Sequence, residues 1–294
     1  MTFYKTSSFG NDFIVIAENE LAYPTGRRPL GGRPGPRVDK CLLARDICDA
    51  HRAVGADGVV FYSPGRQAGV PMQDRPRHDG FNFQIHNRDG SEAELSGNGL
   101  AGLAAVLLQR RLAASPLTLH GAVGPRRVEL LSRRGPLFQL NVEIGRPDFS
   151  NRDFFPFLKP GRVSWAIDGL EFHPVAVGNP HAVVLCRERT DPGQLAALGK
   201  KLESHPLFPK RVNVEFVHFT HAENCRVFFY ERGVGPTQAS STGSAAVFAV
   251  LRQLGLVRDR LRVDCGADQI AVSWNQGIFI HNFTRLVCRG EYFH

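Results

Sequence analysis

Two short words in this sequence hold residue types suited to chemistry: SGNGLAGLAAVL at 96–107 and SSTGSAAVFAVL at 240–251. Each opens on a serine, continues through small residues and runs into an apolar, alanine-rich stretch. A serine ahead of such a run is a favoured helix N-cap. The first turn of a helix leaves backbone N–H groups unpaired and carries positive partial charge, which makes it a ready anion site. The residues at 97–99 and 241–243 are small enough for a ligand to approach the backbone closely. One such start is ordinary. Two of them, one in each half of the chain, suggest a carboxylate held from both sides.

The polar residues near these words fit the same idea. HNRDGSEAELSGNG places Asn87 shortly before Ser96, and YERGVGPTQASSTG places Glu231 and Arg232 shortly before Ser240. An arginine offers a planar fork to a carboxylate, and asparagine amides both donate and accept. Asn11, Asn87, Asn98, Asn179 and Asn213 all stand in words of strong turn or strand character. That inventory suits a zwitterionic ligand such as an amino acid. The histidine of NPHAV stands alone, no HExxH or paired histidine occurs, and neither a P-loop nor a GxGxxG after a strand is present. The sequence therefore gives no cofactor or metal signature, and none is expected.

The elements that must position these residues alternate between strand and helix. FNFQIH at 81–86 alternates strictly, with Phe81, Phe83 and Ile85 on one face and Asn82, Gln84 and His86 on the other. FIVIAEN, RVNVEFV and CRVFFYE read as further strands. DKCLLARDICDAH carries Leu43, Ile47 and Ala50 at helical spacing, and PGQLAALGKKLESH reads as an amphipathic helix opened by Pro192. The two serine helices are apolar all round and must be enclosed by protein. Arg110, Arg111, Arg252 and Gly255 suit their C-terminal ends. The words FGNDFIVI at 9–16 and VGNPHAVV at 177–184 also match, and they precede the serine helices in the same order. Two similar modules in tandem follow from this repetition. The fold class is α+β, with strands outnumbering helices.

Composition narrows the partners. The chain has 294 residues, 43% of them hydrophobic and 10% aromatic, enough for two globular cores. Its formal net charge is +8. Much of the excess sits at 27–37, at 66–77 and in the arginine pairs 126–127 and 133–134, in Pro/Gly-rich loops without interleaved aromatics. Solvated basic loops are the expectation, and nucleic acid is not an expected partner. The apolar run LAGLAAVLL is too short to span a bilayer, and the sequence opens without a secretion signal. The six cysteines, Cys41, Cys48, Cys186, Cys225, Cys265 and Cys288, form no CxxC pair and read as free, mostly buried thiols in a reducing cytoplasm.

Taken together and in order, FGNDFIVI, GADGVV at 55–60, NRDGSEAELSGNG, VGNPHAV, RVNVEFV and YERGVGPTQASSTGSAA resemble the diaminopimelate epimerase family. The resemblance implies two structurally alike domains, each a curled, mostly antiparallel sheet around a central buried helix, with the active site in the cleft between them. The domains would span 1–118 plus 279–294, and 119–278, the final strand returning to the first. The implied activity is cofactor-independent inversion of an amino-acid α-carbon. One residue removes the α-proton and another delivers a proton to the opposite face. LL-diaminopimelate is the leading substrate, in lysine and cell-wall biosynthesis.

By the same resemblance, Ser96 and Ser240 stand at the two proton-transfer positions, which are cysteines in the family's CGNG and ACGTG words, and Glu231 and His181 assist them. The substrate would be held by Asn11, Asn87, Gly97, Asn98, Asn179, Asn213, Glu231, Arg232, Ser241 and Thr242. Ser241 stands where glycine is usual, Pro236 where glutamate is usual, and Gly58 where some members carry a substrate-touching glutamine. A hydroxyl is far harder to ionise than a thiol, so these serines need a general base. The alternatives are another amino-acid racemisation, a proton shift or elimination, or an amino-acid-binding protein without turnover. A homodimer is allowed for. The segments 24–37 and 64–79 are long for the family.

Overall fold

The computed structural model describes residues 1–22, 38–65, 80–188, 190–221, 223–266 and 268–293. The basic segments 24–37 and 64–79 lie outside the described residues, Pro64 and Gly65 excepted. The chain forms two compact units, Met1–Val142 with Asn282–His294, and Glu143–His281.

The first unit opens with β1 (Thr2–Ser8) and β2 (Asn11–Ala17), joined by the Phe9–Gly10 turn. Both turn residues have positive φ, 51° and 74°. This is the backbone twist a two-residue hairpin needs, and Gly10 adopts it without strain. Helix α1 (Lys40–Ile47) crosses to β3 (Gly58–Pro64), which pairs parallel to β2. Asp39 caps α1 by accepting from the N–H groups of Cys41 and Leu42. Antiparallel β4 (Phe81–Asn87) and the short β5 (Glu92–Ala93) lead into α2 (Gly97–Gln109). Then follow β6 (Leu117–Gly121), parallel to β4, and the hairpin of β7 (Gly124–Arg134) and β8 (Leu137–Gly145).

The second unit repeats this plan. After β9 (Trp165–Ile167), β10 (Leu170–Val177) and β11 (Asn179–Leu185) form the hairpin. Helix α3 (Pro192–Glu203) crosses to β12 (Asn213–His221), parallel to β11. Antiparallel β13 (Asn224–Glu231) and β14 (Gly235–Thr237) lead into α4 (Ser241–Gln253). β15 (Arg260–Asp264) lies parallel to β13, and β16 (Gln269–Trp274) pairs with β17 (Ile278–Glu291). The tandem repeat legible in the sequence is thus an element-by-element duplication, including both parallel pairings.

Each unit wraps its strands around one helix. Every residue from Gly97 to Leu107 in α2, and from Ser241 to Leu251 in α4, is buried. Helix α2 packs on β1, β2, β3 and β7, and α4 on β10, β11, β12, β15 and β16. Outside this arrangement, α1 covers a core of Ile14, Ile16, Val59 and Phe61. Helix α3 covers an aromatic core that includes Phe155, Phe172 and Phe208. No helix among the described residues is long and apolar enough to cross a membrane.

The structure departs from the sequence expectations in several places. The first unit runs to Val142 rather than 118, and the return in β17 begins at Asn282 rather than 279. The parallel pairing of β6 with β4, and the contact of β7 with α2, hold this hairpin in the first unit. The arginine pairs at 126–127 and 133–134 lie in strand β7, not in loops, and Arg133 stacks over the Phe138 ring at 4.7 Å. His86, expected on the polar face of β4, is buried edge-on to Phe61 with Nδ1 3.3 Å from the Gly90 carbonyl.

The cysteines are all free, but Cys41 and Cys288 are exposed. Burial, reinforced by the nearby Asp57 charge, pushes the Cys48 thiol up to about 12. Burial does the same to Cys225 and Cys265, also to about 12, aided by Asp264 beside both. Thiolate is the reactive form. Iodoacetamide at pH 8 is therefore expected to label Cys41 and Cys288 in the native protein and to spare Cys48, Cys225 and Cys265 until denaturant is added. Peptide mass spectrometry reads the difference.

Candidate active site

The candidate residues fall into two groups, one per unit, built from equivalent elements. In the first unit α2 begins at Gly97 with Ser96 as N-cap; the serine is extended (φ −144°, ψ 118°) and its Oγ accepts from the Gly99 N–H at 3.1 Å. In the second, α4 begins at Ser241 with Ser240 in nearly the same conformation (φ −132°, ψ 122°), and its Oγ accepts from the Gly243 N–H at 3.1 Å. Ser240 is 5% exposed and Ser96 is half-buried. Both hydroxyls are thus fixed in orientation by the helix starts they cap, with the oxygen accepting and the proton left to donate.

In the first unit a hydrogen-bonded row of side chains runs from the last strand to the first hairpin. Ser8 and Thr284 share a hydroxyl–hydroxyl bond of 2.7 Å. The Thr284 hydroxyl donates to Asn282 Oδ1 at 2.8 Å, and Asn282 Nδ2 to Asn98 Oδ1 at 2.9 Å. Asn98 Nδ2 donates to Asn11 Oδ1 at 3.3 Å, and Asn11 Nδ2 to Asp57 Oδ2 at 3.0 Å. Asp57 also takes the Asp12 N–H at 2.8 Å. The structure therefore brings Asn11 and Asn98 together and anchors them on Asp57 and Asn282, which sequence reasoning missed. Their partners lie far apart in the chain, and no local pattern marks them.

Asn87 ends β4 directly opposite Gly58. Its Nδ2 donates to Ser91 Oγ at 3.0 Å, and that hydroxyl donates to Asp89 Oδ1 at 2.6 Å. Partial burial works to raise the Asp89 pKa, but the Ser91 hydroxyl and N–H outweigh it and hold the carboxyl below its usual range. Asp89 thus stays anionic and fixes the turn that carries Asn87.

In the second unit, Asn213 Nδ2 donates to the Pro180 carbonyl at 2.9 Å, and its Oδ1 accepts from the Arg232 N–H at 2.9 Å. Arg232 Nη1 reaches the Lys210 carbonyl at 3.1 Å. Glu231, opposite Gly235, accepts the Thr237 hydroxyl on Oε1 at 2.6 Å. The turn that follows is tied down from beneath: buried Glu203, the last residue of α3, accepts the Gly233 N–H on Oε1 at 3.0 Å and pairs with Arg211. Ser241 and Thr242 are buried in the first turn of α4.

His181, expected to assist the serines, is held by two other side chains. It is 0% exposed, with Nδ1 2.7 Å from Glu215 Oε1 and Nε2 2.7 Å from Asn179 Oδ1. Both ring nitrogens are engaged, so neither is left over for a serine. Glu215, 1% exposed, is a third residue that sequence reasoning missed. The available signal was a lone carboxylate flanked on both sides by apolar residues in the strand word VNVEFV.

Known proteins share this architecture. The hydroxyproline epimerase of Agrobacterium vitis matches with a TM-score of 0.63 at 18% identity, covering 99% of this chain and 90% of that one. A PhzF-family phenazine biosynthesis protein of Bacillus anthracis matches with a TM-score of 0.57 at 12% identity, covering 99% and 98%. The fold is the two-module fold of epimerases and racemases, with a helix at the centre of each module. Within that class, the family model described as diaminopimelate epimerase matches residues 3–149 and 174–278. The chain belongs to the diaminopimelate epimerase family. It is 30% identical to the diaminopimelate epimerase of Carboxydothermus hydrogenoformans over 100% of both chains. It is 31% identical to that of Pelotomaculum thermopropionicum over 99% of both.

Proposed function

We propose that this isomerase inverts the α-carbon of LL-diaminopimelate to the meso form by two-base proton transfer without a cofactor, in lysine biosynthesis. The reading is carried by the duplicated serine-capped helix start, one in each unit of a chain that belongs to this family along its length. Ser96 and Ser240 take the two proton-transfer positions. Gly97 and Asn98 at the start of α2, and Ser241 and Thr242 at the start of α4, bind the α-amino and α-carboxylate region together with Arg232. Asn11, Asn87, Asn179 and Asn213 complete the polar lining. Glu231 is the carboxylate nearest in sequence to Ser240 that can serve as its general base, and the Thr237 hydroxyl orients it.

The test is wash-in of solvent deuterium at Cα. Purified protein in D₂O is incubated with LL- and meso-diaminopimelate, proline and histidine, and loss of the Cα–H signal is followed by NMR. Exchange confined to the diaminopimelate isomers is expected. Binding of diaminopimelate without exchange would instead identify an amino-acid-binding protein, and exchange of proline or histidine alone would reassign the substrate.

A further inference from the structure

The duplication supplies an internal comparison for the buried pair of His181 and Glu215. In the first unit the parallel register of β2 and β3 sets Phe13 beside Gly58, so Val60 lies two residues further along β3. In the second, the same register of β11 and β12 sets His181 beside Asn213, with Glu215 two residues further along β12. The pair Phe13 and Val60 therefore occupies the places of His181 and Glu215, and both are buried. The close approach to the central helix is equivalent too. A Cβ on Gly99 would lie 3.3 Å from a Val60 methyl, and a Cβ on Gly243 would lie 2.8 Å from Glu215 Oε1.

This fold position is filled by hydrocarbon in one unit and by a carboxylate and an imidazole in the other. The architecture does not demand the charges, and burying them costs free energy that apolar side chains avoid. Glu215 Oε2 is buried without a hydrogen-bond partner among the described residues, so the pair is not fully compensated even within its own unit. Such a pair calls for a function, and its remaining contact indicates one. The far nitrogen of the imidazole meets Asn179 Oδ1, and the Asn179 side chain has no other hydrogen bond among the described residues. Asn179 is the counterpart of Asn11, whose Oδ1 is likewise held from inside, by Asn98.

We propose that Glu215 is a positioning residue: through His181 it locks the Asn179 side chain with Oδ1 inward and Nδ2 outward, toward the substrate's carboxylate. This rests on the epimerase reading above. Nδ1 lies 2.7 Å from a carboxylate oxygen and Nε2 lies 2.7 Å from an amide oxygen, so each imidazole nitrogen faces an acceptor. Nδ1–H donates to Glu215 and Nε2–H donates to Asn179. A neutral ring would present a lone pair at Nε2, the Asn179 amide would rotate to donate to it, and a carboxylate ligand would then face an oxygen.

Two measurements test this. The first transplants the first unit's pair, as His181→Phe/Glu215→Val. The protein is expected to unfold at or above the wild-type temperature, while KM for LL-diaminopimelate rises at least about tenfold and kcat changes less than about threefold. Asn179→Ala alone is expected to raise KM similarly, and to add little in the doubly substituted background, because the coupling runs through one amide. A wild-type KM in the transplanted protein, or a full additional effect of Asn179→Ala within it, overturns the proposal. The second measurement needs no substrate and stands even if the epimerase reading fails or the transplanted protein does not fold. In ¹⁵N-histidine-labelled wild-type protein, the fully buried imidazole of His181 is expected to show two slowly exchanging N–H correlations at pH 7.5. A lone pair at Nε2 would mean that the Asn179 amide is turned the other way and would overturn the proposal.

Discussion

Replacing both Ser96 and Ser240 by cysteine is expected to raise the rate of Cα–H exchange on diaminopimelate at least about a hundredfold. A thiol ionises near pKa 8.5 and a hydroxyl near water's 15.7, a gap of roughly seven units, or about 10 kcal/mol. The helix N-terminus beneath each residue supplies only about 0.3–2 kcal/mol toward an anion. A general base recovers a further 10²–10⁴-fold, about 3–5 kcal/mol. The shortfall that remains, about 3–7 kcal/mol, is what sulfur removes. The same substitution weakens the caps, because Oγ of each serine accepts a helix N–H at 3.1 Å. Stability should therefore fall by about 0.5–2 kcal/mol per site while the rate climbs. Urea titration and NMR exchange on one preparation read both. An exchange rate that is unchanged or lower would remove Ser96 and Ser240 from the proton-transfer positions.

The second large effect concerns Gly243. Its alanine variant is expected to lose about 2–4 kcal/mol of stability, because the new methyl would meet Glu215 Oε1 and the Phe229 ring, each at 2.8 Å. Neither neighbour can withdraw: the ring is 1% exposed and the carboxylate is held by His181 at 2.7 Å. Gly99 occupies the same place in α2, where a methyl would meet only the Val60 methyl at 3.3 Å, Ser96 Cβ at 3.4 Å and the Ile85 methyl at 3.5 Å. Gly99→Ala is expected to stay within about 1 kcal/mol of wild type, since a small adjustment is offset by alanine's better helix propensity. Parallel urea titrations of the two variants decide it. Equal losses at the two sites would mean that the buried carboxylate does not confine α4.

What the sequence made legible was local. The serine caps, the Gly-Asn hairpins and the apolar runs of α2 and α4 are short patterns with a direct physical cause, and the structure places them as expected. The boundary at 118 was misplaced because the pairing that keeps β6 in the first unit, Phe81 with Leu119, is a parallel contact across a whole helix. Nothing in PLTLHGAVG announces that neighbour. Glu215 was passed over for a related reason. It lies 34 residues from His181, and only the β11–β12 register brings the two together. The amide row from Asn11 to Asn282 depends on pairing between the first and last strands. Its members are ordinary asparagines and threonines until that pairing is known.

Strand β1 takes its antiparallel partner from Thr284–Glu291, residues that a ribosome adds after the whole of Glu143–His281. Vectorial synthesis thus exposes every residue of the second unit before the first can be finished. Until that late arrival, nascent chain carries β1 with one open edge and Asn98 without its amide donor, Asn282. The first unit is thus the last of the two to have all of its strands.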